Sequence, residues 1–406
     1  MTETDGPIVI VGGGHAAAQL CAGLAAAGQG ARVHLVCAEP VLPYQRPPLS
    51  KSFLKSPQEV VQLHRPEDWW ASSGIQVHLA NPAVELSLAD RRVQLQSGAS
   101  LPFAWLVLAT GTRARRLPGL AAELDNVLVL RNAADALTLR ERLATAQQVT
   151  VLGGGFIGLE IAATAAALGK QVTVLESAPR LLSRSVSPEL AAHVLQTHRD
   201  AGIDLRLGVR VGEFEVDGKR LTALGVDGVR VPVELLIMGI GAQPEMQLAE
   251  TAGLACDNGI RVDACMRTSA PGVLAAGDCC NFPEAGSGRR LRLESVQNAN
   301  DQARTALATL LGKVEPYKAS PWFWSDQGSL RLQIAGLMAD GATQHRRAGS
   351  TANSLSILHY RGEHLCCVES VNAPHDHIAA RKLLELGKSP AAAVAADPAV
   401  ALKSLV

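Results

Sequence analysis

The strongest constraint on this chain is a pattern that it carries twice. At residues 8–11 a short apolar run, Ile-Val-Ile-Val, ends in Gly12-Gly13-Gly14-His15-Ala16-Ala17. An alanine-rich helical stretch follows to about residue 27, then a second apolar run at 33–37 with Glu39 just beyond. The plan returns at residues 149–152, with Gly153-Gly154-Gly155-Phe156-Ile157-Gly158, a helical stretch over 159–168, an apolar run at 172–175 and Glu176. Each copy reads strand, glycine turn, helix, strand, acid, which is the opening βαβ unit of a dinucleotide-binding fold. One glycine pattern alone is weak, because such turns also occur for purely structural reasons. Two copies in full context predict an α/β chain with two Rossmann-like domains.

The residues match the physical demands of that unit. Gly12 and Gly153 allow the tight turn, and Gly14 and Gly155 let the backbone approach a pyrophosphate held at a helix N-terminus. Ala17 and Gly158 keep each helix close to its strand. Glu176 directly follows its strand, where a carboxylate can accept from both ribose hydroxyls of NADH and would repel the 2′-phosphate of NADPH. Ser177-Ala178 supplies no neighbouring cation, so a preference for NADH is expected. Glu39 lies one residue further from its strand, with Ala38 between.

Three further apolar runs end in small-residue turns, at 106–112, 235–241 and 272–278, the last closing on Asp278. An acid there can meet a dinucleotide's polyol chain or cap the following helix, and the two roles are compatible. With 406 residues the chain is long enough for two or three domains. Its 38 basic residues cancel 38 acidic ones, which removes any whole-protein electrostatic case for nucleic acid or an anionic membrane. Of only fourteen aromatics (five Trp, six Phe, three Tyr), three stand together at Trp322-Phe323-Trp324. The eight cysteines include no C-x-x-C pair and no metal-ligand spacing, and read as small buried thiols of a reducing compartment. The acidic start at residues 1–5 has no export signal's character, so a cytoplasmic protein with no membrane association is expected.

In these motifs the chain resembles the two-dinucleotide flavoprotein reductases, and more narrowly the NADH-dependent ferredoxin reductases of cytochrome P450 and aromatic-ring dioxygenase systems. The segments that carry the likeness are GGGHAA at 12–17, LPYQRPPLSK at 42–51, ATGT at 109–112, GGGFIGLE at 153–160, GIGAQP at 239–244, AAGD at 275–278, RLESVQNA at 292–299 and WFWSDQ at 322–327. The resemblance implies an FAD domain from residues 1–112 and 243–315, an NADH domain at 113–242, and a smaller α+β C-terminal domain at 316–406 that covers the flavin. Gly12, Gly14, Ala17, Glu39, Arg46, Lys51, Thr110, Gly111, Asp278, Val296 and Trp324 would bind FAD. Gly153, Gly155, Gly158 and Glu176 would bind NADH. Where these reductases usually place the acid for the adenosine ribose of FAD, this chain has Ala38, with Glu39 next to it. Glu245, after the GIGAQP segment, stands where relatives often have Asn.

The reaction so implied is hydride transfer from nicotinamide C4 to flavin N5, followed by single-electron transfer to a [2Fe–2S] ferredoxin. The cofactors carry the difficult chemistry, and no side-chain nucleophile is needed. The resemblance makes Lys51 and Glu160 an ion pair beside flavin N5, facing the cleft between the domains. Trp322 and Trp324 share one face if the segment is a strand, and Trp324 is the indole expected to shield the flavin. The arginines at 113, 115 and 116 and at 289, 290 and 292 would suit an acidic ferredoxin, although such clusters are ordinarily solvated faces. A monomer or weak dimer is expected. The alternative is an NADH oxidase, or a flavoprotein like apoptosis-inducing factor, without a ferredoxin partner. Disulfide reductases are disfavoured by the absence of a redox cysteine pair.

Overall fold

A computed structural model describes residues 6–120, 123–285 and 287–406. The acidic start at residues 1–5 lies outside them. By internal packing the chain forms two compact units, one from residues 1–45, 61–113 and 243–319, the other from 46–60, 114–242 and 320–406.

The first unit is built on a five-stranded parallel sheet in the order Val273–Ala275, Trp105–Leu108, Ile8–Val11, Val33–Val36, Gln76–His78. Its central strands are apolar without alternation because both faces are covered. The helix His15–Ala26 leaves the central strand and lies along the helix Val296–Leu310, so closely that a Cβ on Gly23 would come within 2.4 Å of Leu307.

The second unit repeats the sheet with one change of connection. Its order is Asp204–Leu207, Gln171–Glu176, Gln148–Leu152, Leu235–Met238, Val127–Val129, again all parallel. The edge strand beyond the fourth comes from chain that precedes the glycine turn, whereas in the first unit it comes from residues 273–275. After this sheet the chain forms a five-stranded antiparallel sheet, Trp322–Gln327, Leu330–Gly336, His364–Val371, Leu355–Arg361, Thr343–Ala348, followed by the helix Pro374–Glu385. One face of it, with Leu330, Leu332, Leu355, Ile357 and Val371, shares a core with Leu159, Ile161, Leu190 and Val194 of two helices. The helix Phe156–Ala167 is therefore covered nearly all round, which explains a sequence of Leu, Ile and Ala with no polar stripe. Glu160 is its one charged residue.

The α/β expectation holds: two parallel sheets each carry a glycine turn and helix, and an α+β segment completes the chain. The turns themselves admit only glycine. Gly12 has φ +121 and Gly153 φ +106, and a Cβ would lie 2.1 Å from the Ala109 carbonyl oxygen at the first and 2.4 Å from that of Gly239 at the second. Gly153→Ala should therefore cost at least ~1 kcal/mol from the backbone conformation alone, with the overlap added to it. Thermal unfolding of the variant checks this, and an unchanged midpoint would refute the strain.

Candidate functional site

In the first unit, the positions expected at FAD converge on the start of one helix. Gly14 caps the helix His15–Ala26 without a side-chain hydrogen bond, and a Cβ built on it would meet nothing within 4 Å. The cradle is open where a pyrophosphate would need backbone N–H groups and space. Ala17 is fully buried against the sheet. Gly277, with φ +93, packs 3.2 Å from the Ala16 Cβ at its own virtual Cβ, which sets Asp278 beside the first turn. Val296 opens the neighbouring helix, whose cap Ser295 accepts from the Asn298 N–H at 3.1 Å. Thr110 Oγ1 donates to the Glu245 carbonyl at 2.7 Å, and the Gly111 carbonyl accepts from the Glu245 N–H at 2.9 Å. Glu245, unexplained by sequence, also reaches Arg113 with a 2.8 Å ion pair, so it ties the turn at 109–113 by three bonds.

Glu39 accepts a 2.5 Å hydrogen bond from the hydroxyl of buried Tyr44. Ala38, which stands in the usual place of the ribose acid, is exposed. The strand registers add a comparison. Gly12 N–H donates to the Val36 carbonyl as Gly153 N–H does to that of Leu175, so the structural counterpart of Glu176 is Cys37.

The second unit shows the matching cradle. Gly155 caps the helix Phe156–Ala167 without a side-chain bond, and only the Gly239 carbonyl lies near its virtual Cβ, at 3.9 Å. Gly158 sits so tightly that a Cβ would lie 2.2 Å from the Gly153 carbonyl oxygen. The Glu176 carboxylate is fixed by two backbone donors, the Gly154 N–H at 2.6 Å on Oε2 and the Ala178 N–H at 2.7 Å on Oε1. Ser177 Oγ adds a 3.3 Å bond on Oε1, and Oε2 keeps a lone pair for a further donor such as a ribose hydroxyl. Both cradles thus fit a dinucleotide.

Lys51 and Glu160 are brought together. The turn Pro47–Ser50 is stiffened by two prolines, and Lys51 Nζ lies 2.8 Å from Glu160 Oε2 and 3.1 Å from the Pro47 carbonyl. Glu160 is almost fully buried, whereas the Lys51 side chain keeps 21% of its exposure. Arg46, at the head of the same turn, donates to the Arg131 carbonyl at 2.9 Å. Sequence reasoning missed the rest of the carboxylate's surroundings. Ser50 Oγ donates to Oε2 at 2.5 Å, and Ser325 Oγ donates to Oε1 at 2.6 Å. Both serines stand inside motifs read above, RPPLSK and WFWSDQ, and only an unpaired acid in an apolar helix hinted that donors were needed.

Trp322 and Trp324 share a face, their rings 5.6 Å apart and 30° from parallel. Phe323 turns the other way and packs on Phe156, the first residue of the helix Phe156–Ala167, at 4.5 Å. Trp324 itself is half-buried. The two arginine clusters are tied down internally: Arg115 donates to the Ala242 carbonyl, Arg290 to Asn281, and Arg292 pairs with Glu294 at 2.6 Å. The eight cysteines are free, and among the described residues no group of side chains is placed to hold a metal. Nor is any described helix long and apolar enough to cross a membrane.

Comparisons with known proteins place the chain in a family. Residues 6–303 match the pyridine nucleotide-disulphide oxidoreductase family, and residues 322–406 match the reductase C-terminal family. The chain is 39% identical over 407 residues to terpredoxin reductase of a Pseudomonas species, covering 99% of this chain and 98% of that one. It also matches the crystal structure of the ferredoxin reductase for the CYP199A2 system from Rhodopseudomonas palustris, with TM-score 0.94, 40% identity and coverage of 98% and 99%. The crystal structure of the covalent putidaredoxin reductase–putidaredoxin complex follows, with TM-score 0.93, 36% identity and coverage of 99% and 98%; a curated putidaredoxin reductase of the same kind comes from Pseudomonas putida.

Removing Lys51 would strand a buried charge, which typically costs about 3–5 kcal/mol. Lys51→Ala should therefore lower the unfolding midpoint more than Lys51→Ala combined with Glu160→Gln. A double variant no more stable than the single one would show that Glu160 does not depend on the lysine.

Proposed function

Because this chain belongs to the pyridine nucleotide-disulphide oxidoreductase family, we propose how its residues divide the work of a ferredoxin–NAD(+) reductase. It is an FAD-dependent oxidoreductase that takes electrons from NADH and passes them to a ferredoxin. The ferredoxin reading holds over the oxidase or signalling alternative. The observation that carries it is one chain with two open glycine cradles, each at the head of a helix in its own parallel sheet.

The first cradle, in residues 1–112 and 243–315, is assigned to FAD, and the second, in 113–242, to NADH. Residues 316–406 form the domain that carries the covering indole. Gly12, Gly14 and Ala17 make room for the FAD pyrophosphate, Asp278 stands beside that helix start, and Val296 opens the neighbouring helix. Glu39, braced by Tyr44, is the nearest acid for the adenosine ribose. Thr110 and Gly111 shape the adjoining turn. Gly153, Gly155 and Gly158 take the NADH pyrophosphate, and Glu176 takes its ribose hydroxyls. FAD, when bound, supplies a hydride acceptor that can release electrons singly. Lys51 provides a fixed positive charge for the reacting ring, Glu160 holds that lysine in place, and Arg46 extends the same turn. Trp324 excludes water from the ring's face.

The partner is assigned as a [2Fe–2S] ferredoxin serving a P450 or ring-hydroxylating oxygenase. The protein is proposed to act in the cytoplasm, as a monomer or weak dimer. NADH-dependent reduction of a purified [2Fe–2S] ferredoxin tests the whole reading. Rapid flavin reduction with no onward transfer would overturn the partner. Glu176→Ala loses charge-assisted bonds to the ribose, so the ratio of kcat/KM for NADH over NADPH should fall by about ten- to hundredfold. An unchanged ratio would remove Glu176 from the nucleotide site. Lys51→Ala should slow flavin reduction by NADH in stopped-flow absorbance or loosen FAD. A normal rate at full flavin occupancy would remove the lysine from the reacting site.

A further inference from the structure

Behind Glu160 the hydrogen bonds continue within the second unit. Ser325 Oγ, which lies 2.6 Å from Glu160 Oε1, is 3.1 Å from Gln327 Nε2, and Gln327 Oε1 is 2.9 Å from His198 Nε2. Ser325 and Gln327 are two residues apart on the strand Trp322–Gln327 and so face the same side, and all four residues are buried.

The direction of every bond follows from the donors available. An ionised carboxylate only accepts, so the single hydroxyl proton of Ser325 goes to Glu160. Ser325 must then accept from the Gln327 amide N–H, which leaves the Gln327 carbonyl facing His198. His198 must donate through its Nε2–H. Burial holds the His198 pKa below its ordinary value, against the smaller upward pull of the Gln327 bond, which suits a neutral ring with the proton on Nε2. The series is therefore polarised in one sense, from His198 to the carboxylate. Protonating Glu160 would remove the reason for that order.

We propose that His198, Gln327 and Ser325 are positioning residues that hold the Glu160 carboxylate turned toward Lys51. This rests on the assignment of Lys51 and Glu160 to the reacting site. The other charged groups on the elements around Glu160 are committed elsewhere. Arg46 donates to the Arg131 carbonyl, Lys55 is exposed, and Glu176 is bonded to the Gly154 and Ala178 amides. Asp326 alternates to the opposite face of its strand from Ser325 and Gln327.

The test is the rate of flavin reduction by NADH across pH, in the FAD-loaded enzyme, for the wild type and for Ser325→Ala, Ser325→Thr, Gln327→Met and Glu160→Gln. A donor to the ionised form lowers a carboxyl pKa, so its loss should raise the midpoint of the acid limb. Ser325→Ala should move that midpoint up by about one unit and Gln327→Met by a smaller step, while Ser325→Thr, which keeps the hydroxyl, should restore it. Glu160→Gln should abolish the acid limb. If Ser325→Ala does not fold, Gln327→Met, which leaves the carboxylate's own partners in place, carries the test. An unmoved midpoint in the folded members of this pair, with the limb still abolished by Glu160→Gln, would overturn the relay and leave the site assignment standing. A limb that survives Glu160→Gln would overturn the assignment and the relay together.

Discussion

A carboxylate withdrawn from water has to be given donors in place of the solvent it lost, and Glu160 is such a group. Leaving it ionised and unpartnered in that position would cost several kcal/mol. The helix Phe156–Ala167 can offer nothing, because its other side chains are apolar or already spent. The donors arrive from two distant stretches of sequence, Ser50 and Lys51 from one and Ser325 from the other. One turn further along the helix, Thr164 Oγ1 donates to the Ser50 carbonyl at 2.8 Å and grips the same turn a second time. A single acid thus fixes where the residue-50 turn and the first C-terminal strand can lie against the helix Phe156–Ala167.

The doubled glycine turn made the two sheets legible before any coordinates, since only a βαβ unit uses glycines, helix and acid in that order. The registers bear that out strand by strand, from Val11 beside Val36 to Leu152 beside Leu175. What local sequence could not supply was any relation that depends on chain returning from far away. Residues 46–60 pack in the second unit although they follow the opening βαβ of the first, and the edge strand Val127–Val129 precedes its own glycine turn. Arg113 and Glu245 form a pair across more than a hundred residues of sequence, and neither position announces the other. Ser325 and Gln327 were visible only as letters of a motif, because a serine carries no hint of the carboxylate that its hydroxyl will meet.

The aromatic residues show the opposite case, in which a plain periodicity was enough. In a strand, neighbours point to opposite faces, so Trp322-Phe323-Trp324 divides its rings without any further information. The two indoles stack near one another, with the Arg381 guanidinium 4.0 Å over Trp322, while Phe323 reaches Phe156 at the mouth of the second cradle. The crowding of aromatics into one place in an aromatic-poor chain therefore serves two surfaces at once. One face holds the pair of indoles, and the other braces the helix Phe156–Ala167 at its first turn.

The first sheet has a history as well as an order. Its strand Trp105–Leu108 is flanked by Ile8–Val11 on one side and by Val273–Ala275 on the other. During synthesis at about 5–20 residues per second, the second neighbour emerges only ~10–30 s after the first pair is complete. For that interval the growing chain presents the unpaired apolar edge Trp-Leu-Val-Leu, a ready template for another nascent chain. All of the second unit's parallel strands are made in the meantime, so the later unit completes its parallel sheet before the earlier one can close. That waiting edge is an aggregation hazard of the kind that chaperones shield during synthesis.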